Sequence, residues 1–287
     1  MLKEKAGLDV VAMYPARPEH TPESDKWTWD TFLSAAEACS RANMAFGIGV
    51  GQTSDSVDTA GTIFRAYGAA LIDREGNVQV DSDKVRRVLE YGQKLVKALP
   101  EDAVSYDDAT DNRVLIAGKS ALIFNPPSAW AVAKRDAPQV AEDCWTFPTP
   151  AGPEGRFQPY LPFFWGIWNF AQNKSAAKDL IVYLCEREQV EERCNVVAGF
   201  DLPPFDSMLD FKIWEEVEPP KGTVYNYPNR PFHNARPHIA ASEASPEIAV
   251  QIYNRATMPT MLARLQSGQS IKEVIAWAKD ELEGFAR

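Results

Sequence analysis

The chain has 287 residues, a hydrophobic content of 45% and a formal charge of −10, so it can fold as one large or two ordinary globular domains. Its Lys and Arg residues are scattered rather than clustered, which excludes the basic surface that binds nucleic acid or anionic lipid. The longest apolar stretches fall far short of the ~20 residues that span a bilayer, so no membrane-spanning segment is expected.

The N-terminus and the cysteines point neither to a secretory signal nor to a metal. Residues 1–7 contain no apolar segment with a small-residue cleavage site, so the sequence as it stands is expected to carry no signal peptide. The four cysteines form no C-x-x-C pair and no Cys/His spacing suited to zinc. We expect them to be buried and unpaired, with a Cys185–Cys194 disulfide as the alternative. We expect no cofactor.

The first hundred residues predict helices that alternate with short strands. The apolar spacing from Trp29 to Ala36 fits one helix face, and Thr28 stands at the N-cap position. Ser82 can cap a later helix, which Pro100 ends. In chain order we expect a helix over 29–42, a glycine-rich strand over 46–51, a helix over 58–67, a hairpin over 71–80 and a helix over 82–99.

The rest of the chain predicts more strands, a connection and further helices. The Pro- and Gly-rich stretch 148–159 is the candidate interdomain connection. Ser270 and Glu273 form a capping box that begins the last of two C-terminal helices. We expect strands over 120–125, 145–147 and 166–171, a helix over 173–186 with residues 177, 180, 181 and 184 on its buried face, and a shorter helix from 189.

The sequence gives little support for a catalytic site. Asp107, Asp108 and Asp111 cluster, but they precede an apolar segment and fit a solvated helix start. A glycosidase needs two carboxylates that flank one bond, so a carbohydrate-active hydrolase is kept as the alternative function. His233 and His238 lie beside prolines rather than one turn apart on a helix, which argues against a metal site. The sequence has no G-x-S-x-G elbow and no phosphate-binding glycine loop.

Aromatic residues are abundant, with 8 Trp, 9 Tyr and 14 Phe. Aromatic faces stack on the C–H faces of sugars, and Asp, Asn, Arg and His direct hydrogen bonds to hydroxyl groups. The composition therefore suits carbohydrate capture. Aromatics on helical stripes are assigned to the core first, namely Phe32, Phe64, Tyr183 and Trp277.

Several short motifs follow one another along the chain. Lys3–Asp9 reads KEKAGLD, Trp27–Phe32 reads WTWDTF, and a DREGN turn lies within Tyr67–Val78. Ala117–Leu122 reads AGKSAL, and Asn125–Trp130 reads NPPSAW. A last motif begins with WGI at 165 and continues to 177. In order and spacing these motifs resemble the family 1 extracellular solute-binding proteins, the maltose-binding-like group of ABC importers.

The resemblance implies an α/β fold of the periplasmic-binding-protein-like type II, with two lobes between which the chain crosses more than once. Residues 1–161 would form the first part of the C-terminal lobe, 162–210 a return segment of the N-terminal lobe, and 211–287 the closing helices of the C-terminal lobe. Family members carry a signal sequence and the opening part of the N-terminal lobe before the AGLD motif, so we expect part of a family-length protein. Residues 162–210 would then expose apolar faces.

The resemblance also implies a function. The protein would be the substrate-binding component of an ABC importer, a binding protein rather than an enzyme, periplasmic or extracellular in its full-length form. It would capture a sugar or related polar solute in the cleft between the lobes and deliver it to the permease subunits.

The resemblance also names the expected cleft residues. Trp130 and Trp165 would stack on the sugar, and Asp55 and Asn125 would bond its hydroxyl groups. Two residues have a structural alternative, since Trp165 could pack a hinge and Asp55 could cap the following helix. Arg236 could hold an acidic or hydroxyl group. The full set is Thr53, Asp55, Asn125, Trp130, Trp165, Gly166, His233 and Arg236.

Overall fold

The structure is a computed structural model that describes residues 1–15, 20–216, 234–241 and 243–285. The described chain is mostly helical. The helices are α1 (Leu2–Ala6), α2 (Val10–Met13), α3 (Trp29–Arg41), α4 (Ser54–Ala66), α5 (Asp83–Leu95), α6 (Thr110–Ile116), α7 (Ser128–Asp136), α8 (Pro138–Ala141), α9 (Lys174–Leu184), α10 (Arg187–Val196), α11 (Ile213–Glu216), α12 (Pro246–Asn254), α13 (Thr257–Gln266) and α14 (Ile271–Phe285). The strands are β1 (Ala151–Gly152), β2 (Gly155–Pro159) and β3 (Arg236–His238).

The helices begin where capping side chains are available. Thr28 Oγ1 accepts a hydrogen bond from the Thr31 amide at 3.2 Å and starts α3, and Ser82 starts α5 in the same way. The Ser270 amide donates to Glu273 Oε2 at 2.7 Å, and the Glu273 amide donates back to Ser270 Oγ at 3.3 Å. These three predicted helix starts are confirmed. Three C-terminal helices are present instead of the two expected.

The main core lies where α3, α4, α5, α13 and α14 meet. Its centre is aromatic: the ring centroids of Trp29 and Phe32 lie 5.0 Å apart, and those of Phe32 and Phe46 lie 5.1 Å apart, both edge to face. α14 enters this core through the buried side chains of Val274, Ile275, Ala278 and Leu282. The apolar spacing of Trp29, Phe32 and Ala36 thus predicts the buried face of α3 correctly.

The sheet differs most from expectation. β1 pairs antiparallel with β2, and β2 pairs parallel with β3. The strands expected over 46–51, 120–125, 145–147 and 166–171 are not formed in the described chain. The amide of Gly47 does donate to the Leu122 carbonyl at 2.9 Å, but a ladder needs successive paired bonds. The expected hairpin over 71–80 is reduced to one antiparallel bridge between Ile72 and Val78.

The Pro- and Gly-rich stretch 148–159 forms the β1–β2 hairpin, packed on α4, rather than an open connection. A Cβ at Gly152 would lie 2.5 Å from the Ala66 carbonyl oxygen, so glycine allows the hairpin backbone to rest directly on α4. Buried Arg156 donates to the Thr149 carbonyl at 2.5 Å and to the Ser24 carbonyl at 2.8 Å. The hairpin is therefore anchored in the packed part of the molecule.

The chain after the hairpin is unusually exposed. None of the residues of α9 is buried, so the expected buried face of this helix is wrong, and Tyr183 is exposed rather than in the core. The expectation that residues 162–210 expose apolar surface is confirmed. The large exposed apolar side chains in this range are Phe163, Phe164, Trp165, Trp168, Phe170, Leu180, Val182, Tyr183, Val196, Leu202 and Phe205. Across the described residues, no helix combines the length and apolarity needed to span a membrane.

Candidate functional site

A small cleft opens at the N-terminal end of α4, opposite the start of α6. The space that it encloses is small, about 10 Å³, and its mouth is open to solvent. Its lining is tightly packed at Gly49, where a Cβ would lie 2.9 Å from the Tyr106 Cβ. The lining residues are Gly47, Ile48, Gly49, Thr53, Asp55, Ser56, Thr59, Tyr106, Asp107, Asp111 and Phe124. We call this the α4 cleft.

Two predicted site residues, Thr53 and Asp55, line the α4 cleft. Thr53 Oγ1 accepts from the Ser56 amide at 3.2 Å and is the N-cap of α4. The Asp55 amide donates to Asp108 Oδ1 at 3.2 Å, and Ser54 Oγ donates to Asp108 Oδ2 at 3.0 Å. Thr53 and Asp108 therefore cap the N-terminus of α4. The alternative that Asp55 caps this helix is not observed.

A third predicted residue, Asn125, joins two carboxylates of the α4 cleft. Its amide nitrogen lies 3.4 Å from Asp55 Oδ2 and also donates to Asp111 Oδ2. Its amide oxygen accepts from Ser128 Oγ at 3.2 Å, at the first residue of α7. Asn125 thus holds α4, α6 and α7 in register around the cleft.

The carboxylates of this cleft are partly withdrawn from water. Burial, together with the charges of the neighbouring Asp111, Asp108 and Asp58 carboxylates, raises the pKa of Asp55 to about 7. Burial followed by the Asp108 charge likewise raises the pKa of Asp58 to about 7. Burial also raises the pKa of Asp111, against the opposing effect of its hydrogen bond from Asn125. Near neutral pH Asp55 and the adjacent Asp58 are therefore divided between charged and neutral forms.

Trp130 does not fulfil the role expected of it. Its side chain is only 3% exposed and packs with Ala133 and Ala141 in a small apolar cluster, with the Lys134 amine 5.3 Å from its ring centroid. A ring covered on both faces cannot stack on a solute. In this structure Trp130, the last residue of the NPPSAW motif, is therefore a packing residue of α7.

Three of the other expected residues, Trp165, Gly166 and Arg236, lie outside the α4 cleft. Trp165 is 47% exposed, and the guanidinium of Arg193 lies 5.8 Å from its ring centroid. Gly166 is exposed with open space around it. Arg236 is exposed at the start of β3. His233 lies outside the described residues. For all of these, a role in binding stays a prediction.

Sequence reasoning missed several lining residues. Asp111 was interpreted with its neighbours as a solvated helix start, yet it is only 6% exposed because Asn125 and α4 cover it. Asp107 does fit that interpretation, since its carboxylate bonds Thr110 Oγ1 at 2.6 Å and Arg113 at 2.7 Å. Thr59 carried a usable signal: a threonine one turn beyond Asp55 lies on the same face of α4.

The cysteines and acidic groups add no second site. Cys39, Cys144, Cys185 and Cys194 are all free, so the alternative of a Cys185–Cys194 disulfide is wrong, and Cys144 and Cys185 are only half-buried. Over the ranges that the structure describes, no three His, Cys, Asp or Glu side chains are arranged to hold a metal ion.

Comparison with solved structures gives the class of fold. Maltose-bound MalE3 of T. maritima superposes with a TM-score of 0.71 at 21% identity, covering 98% of this chain and 68% of that one. A sugar transporter from Arthrobacter chlorophenolicus A6 with bound laminaribiose superposes at 0.74 and 16% identity, covering 99% and 67%. A solute-binding protein of Agrobacterium vitis S4 with bound D-mannitol gives 0.65 and 16%, covering 98% and 68%. The fold is that of periplasmic sugar-binding proteins, as the resemblance implied.

Residues 7–221 match the family of bacterial extracellular solute-binding proteins, and the chain belongs to this family. A probable ABC transporter-binding protein of Deinococcus radiodurans is 25% identical over 222 residues, which cover 69% of this chain and 50% of that protein. The chain thus spans about half the length of the curated relative that it matches. Its family and structural relatives are binding proteins rather than enzymes.

Proposed function

We propose that this chain is the substrate-binding component of an ABC importer that captures a sugar or a related polar solute and passes it to the membrane permease without chemical turnover. The α4 cleft carries this proposal, because it joins hydroxyl, carboxylate and amide groups beside aromatic side chains. Such a set bonds the hydroxyls of a sugar and covers its C–H faces. Family membership and the sugars named for the solved structures agree with it. The proposed location is periplasmic or extracellular.

The lobe boundaries belong to the same proposal. Residues 1–161 and 211–287 would form one lobe, and residues 162–210 part of another, with the solute between them. The apolar surface of Phe163, Phe164 and Trp168 supports this division, since so much exposed apolar area is typical of a surface that another part of a protein covers. Closure around a solute that touches both lobes would favour the closed state. Trp165, at the start of the second segment, would supply a stacking surface to the solute.

The test is calorimetric titration of the 287-residue chain with maltose, laminaribiose and D-mannitol, with glycine as a control that lacks sugar hydroxyls. We expect saturable binding of at least one of the first three solutes, and no new reducing ends after prolonged incubation. Asn125→Ala should weaken that binding at least tenfold, while the exposed Glu75→Gln should leave it unchanged. If none of the three solutes binds, the proposal is contradicted. If products form, the hydrolase alternative is favoured.

A further inference from the structure

The polar lining of the α4 cleft is strongly biased in charge. It contains three carboxylates, those of Asp55, Asp107 and Asp111, and four hydroxyl side chains. Among the described residues that line it, none is Lys, Arg or His. A group that enters this cleft therefore meets hydrogen-bond acceptors and negative charge without a compensating cation in the lining.

Two of these carboxylates lack a cationic partner. Asp107 is paired with Arg113 at 2.7 Å, so its charge is balanced at the rim. Asp55 and Asp111 form no ion pair within the described part of the chain, and the Asn125 amide bonds both of them. A neutral amide satisfies one hydrogen bond but leaves the net charge in place. The negative potential of the cleft thus originates at Asp55 and Asp111.

A separate observation points to a ligand in the same place. The Thr59 side chain is only 5% exposed and lines the α4 cleft, yet its hydroxyl bonds no group among the residues that the structure describes. The Thr59 hydroxyl oxygen is itself accessible from the cleft, so a bound solute can reach it. Thr59 therefore offers an unused donor and acceptor to a molecule bound beside Asp55.

We infer that the α4 cleft selects its solute by charge: it takes uncharged or cationic polyhydroxy compounds, such as neutral sugars, polyols and amino sugars, and rejects uronates and sugar phosphates. This inference rests on the proposed function. Hydroxyl and ammonium groups donate to the two carboxylates, whereas a carboxylate or phosphate in the solute would face like charges in a partly dehydrated site. Specificity then follows from repulsion of the wrong solute as well as from bonds to the right one.

The experiment compares the affinities of the protein for neutral, cationic and anionic sugars at pH 8, where the Asp55 carboxyl group is charged. The neutral probes are D-glucose, maltose, laminaribiose and D-mannitol, and the charged probes are D-glucosamine, D-glucuronate and D-glucose 6-phosphate. We expect the tightest anionic probe to bind at least tenfold more weakly than the tightest neutral probe, with glucosamine binding at least as tightly as glucose. A smaller gap overturns the inference and leaves the proposed function standing. Failure of every neutral probe to bind overturns the proposed function, and the inference with it.

Two variants locate the source of the discrimination. Asp55→Asn and Asp111→Asn should each narrow the ratio of neutral to anionic affinity at least threefold, with folding checked by circular dichroism. Glu75→Gln removes one negative charge at an exposed turn and is the matched control, which should leave the ratio unchanged. If Glu75→Gln narrows the ratio as much as Asp55→Asn does, overall charge rather than the cleft sets the discrimination, and the inference fails.

Discussion

Helices α3 to α5 and the segment from 160 to 184 contain similar aromatic and aliphatic side chains. These side chains are buried in the helices and exposed in the segment. In the helices, Trp29, Phe32 and Phe64 are almost completely buried. In the segment, Phe164 is 86% exposed, and Trp168 and Phe170 stack mainly on each other, with ring centroids 5.5 Å apart. We call the second region the exposed segment. Composition and spacing determine which residues form a helix, but burial requires a second surface that covers them.

The largest expected difference between the two regions is in the loss of unfolding free energy when a phenylalanine in each is replaced by alanine. Phe64→Ala removes a ring that is 1% exposed in the main core and should lower the free energy of unfolding by about 3–5 kcal/mol. Phe164→Ala should change it by less than about 0.5 kcal/mol, because that ring is in water. Urea denaturation of both variants measures the effect. Equal losses would mean that another part of the protein covers the exposed segment in solution.

A second contrast depends on pH. The pKa of Asp55 is about 7 in the folded protein, and its usual value is 3.8. Between these values the folded protein holds a proton that the unfolded chain has lost, so stability falls as pH rises from about 4 to 7. Asp55→Asn should therefore stabilise the protein above pH 7, and this gain should shrink towards pH 4. Thermal unfolding at pH 4 and 8 tests this, with the exposed Asp102→Asn as control. A gain that does not depend on pH would contradict the burial of Asp55.

Removing a helix-capping residue should give a smaller difference in stability between the two regions. Thr28→Ala removes the side-chain bond that starts α3 and should cost about 1 kcal/mol of unfolding free energy, whereas Thr28→Ser should retain most of it. Asn173, at the same position of α9, makes no capping bond with its side chain. Asn173→Ala should therefore leave stability unchanged in the same denaturation experiment. A measurable loss for Asn173→Ala would show that the start of α9 is held in solution by a bond absent from this structure.

The smallest effect on stability should come from the exposed segment itself. Replacing Phe163, Phe164 and Phe170 together by Ser should leave the unfolding free energy nearly unchanged, because none of the three rings is buried. It should nevertheless reduce binding of the dye ANS and lower concentration-dependent association, since both depend on exposed apolar surface. Light scattering and ANS fluorescence measure these effects. Unchanged ANS fluorescence would show that the dye binds elsewhere.

Local signals could be read from the sequence, and pairing between distant residues could not. The starts of α3, α5 and α14 follow from caps that act within three positions of the chain, so Thr28, Ser82 and Ser270 were predictable. β2 pairs instead with β3, about 80 positions later, and no local pattern specifies that partner. The expected burial of α9 failed for a related reason, because its spacing describes a face without showing what covers it.

The candidate site shows the same division. The structure brings Thr53, Asp55 and Asn125 together near one cleft, and each is a polar residue at the end of an apolar run. Asp111 was misread as solvated, since its burial depends on Asn125, which lies 14 positions further along the chain. Trp130 was expected to stack on a sugar but is covered by side chains that include Ala133 of α7 and Ala141 of α8. Polar residues of a site can thus be identified locally, while their burial cannot.

The long-range contacts around the α4 cleft also determine the order in which parts of the protein form during refolding. Asp55 and Asn125 are 70 positions apart, and Ser54 and Asp108 are 54 apart, with the whole of α5 between them. Contacts of such long range form only after the entropy of closing a large loop has been overcome, whereas the helices nucleate locally. The helical signal should therefore return before the α4 cleft is formed. A newly synthesised chain would form its helices first and this cleft last.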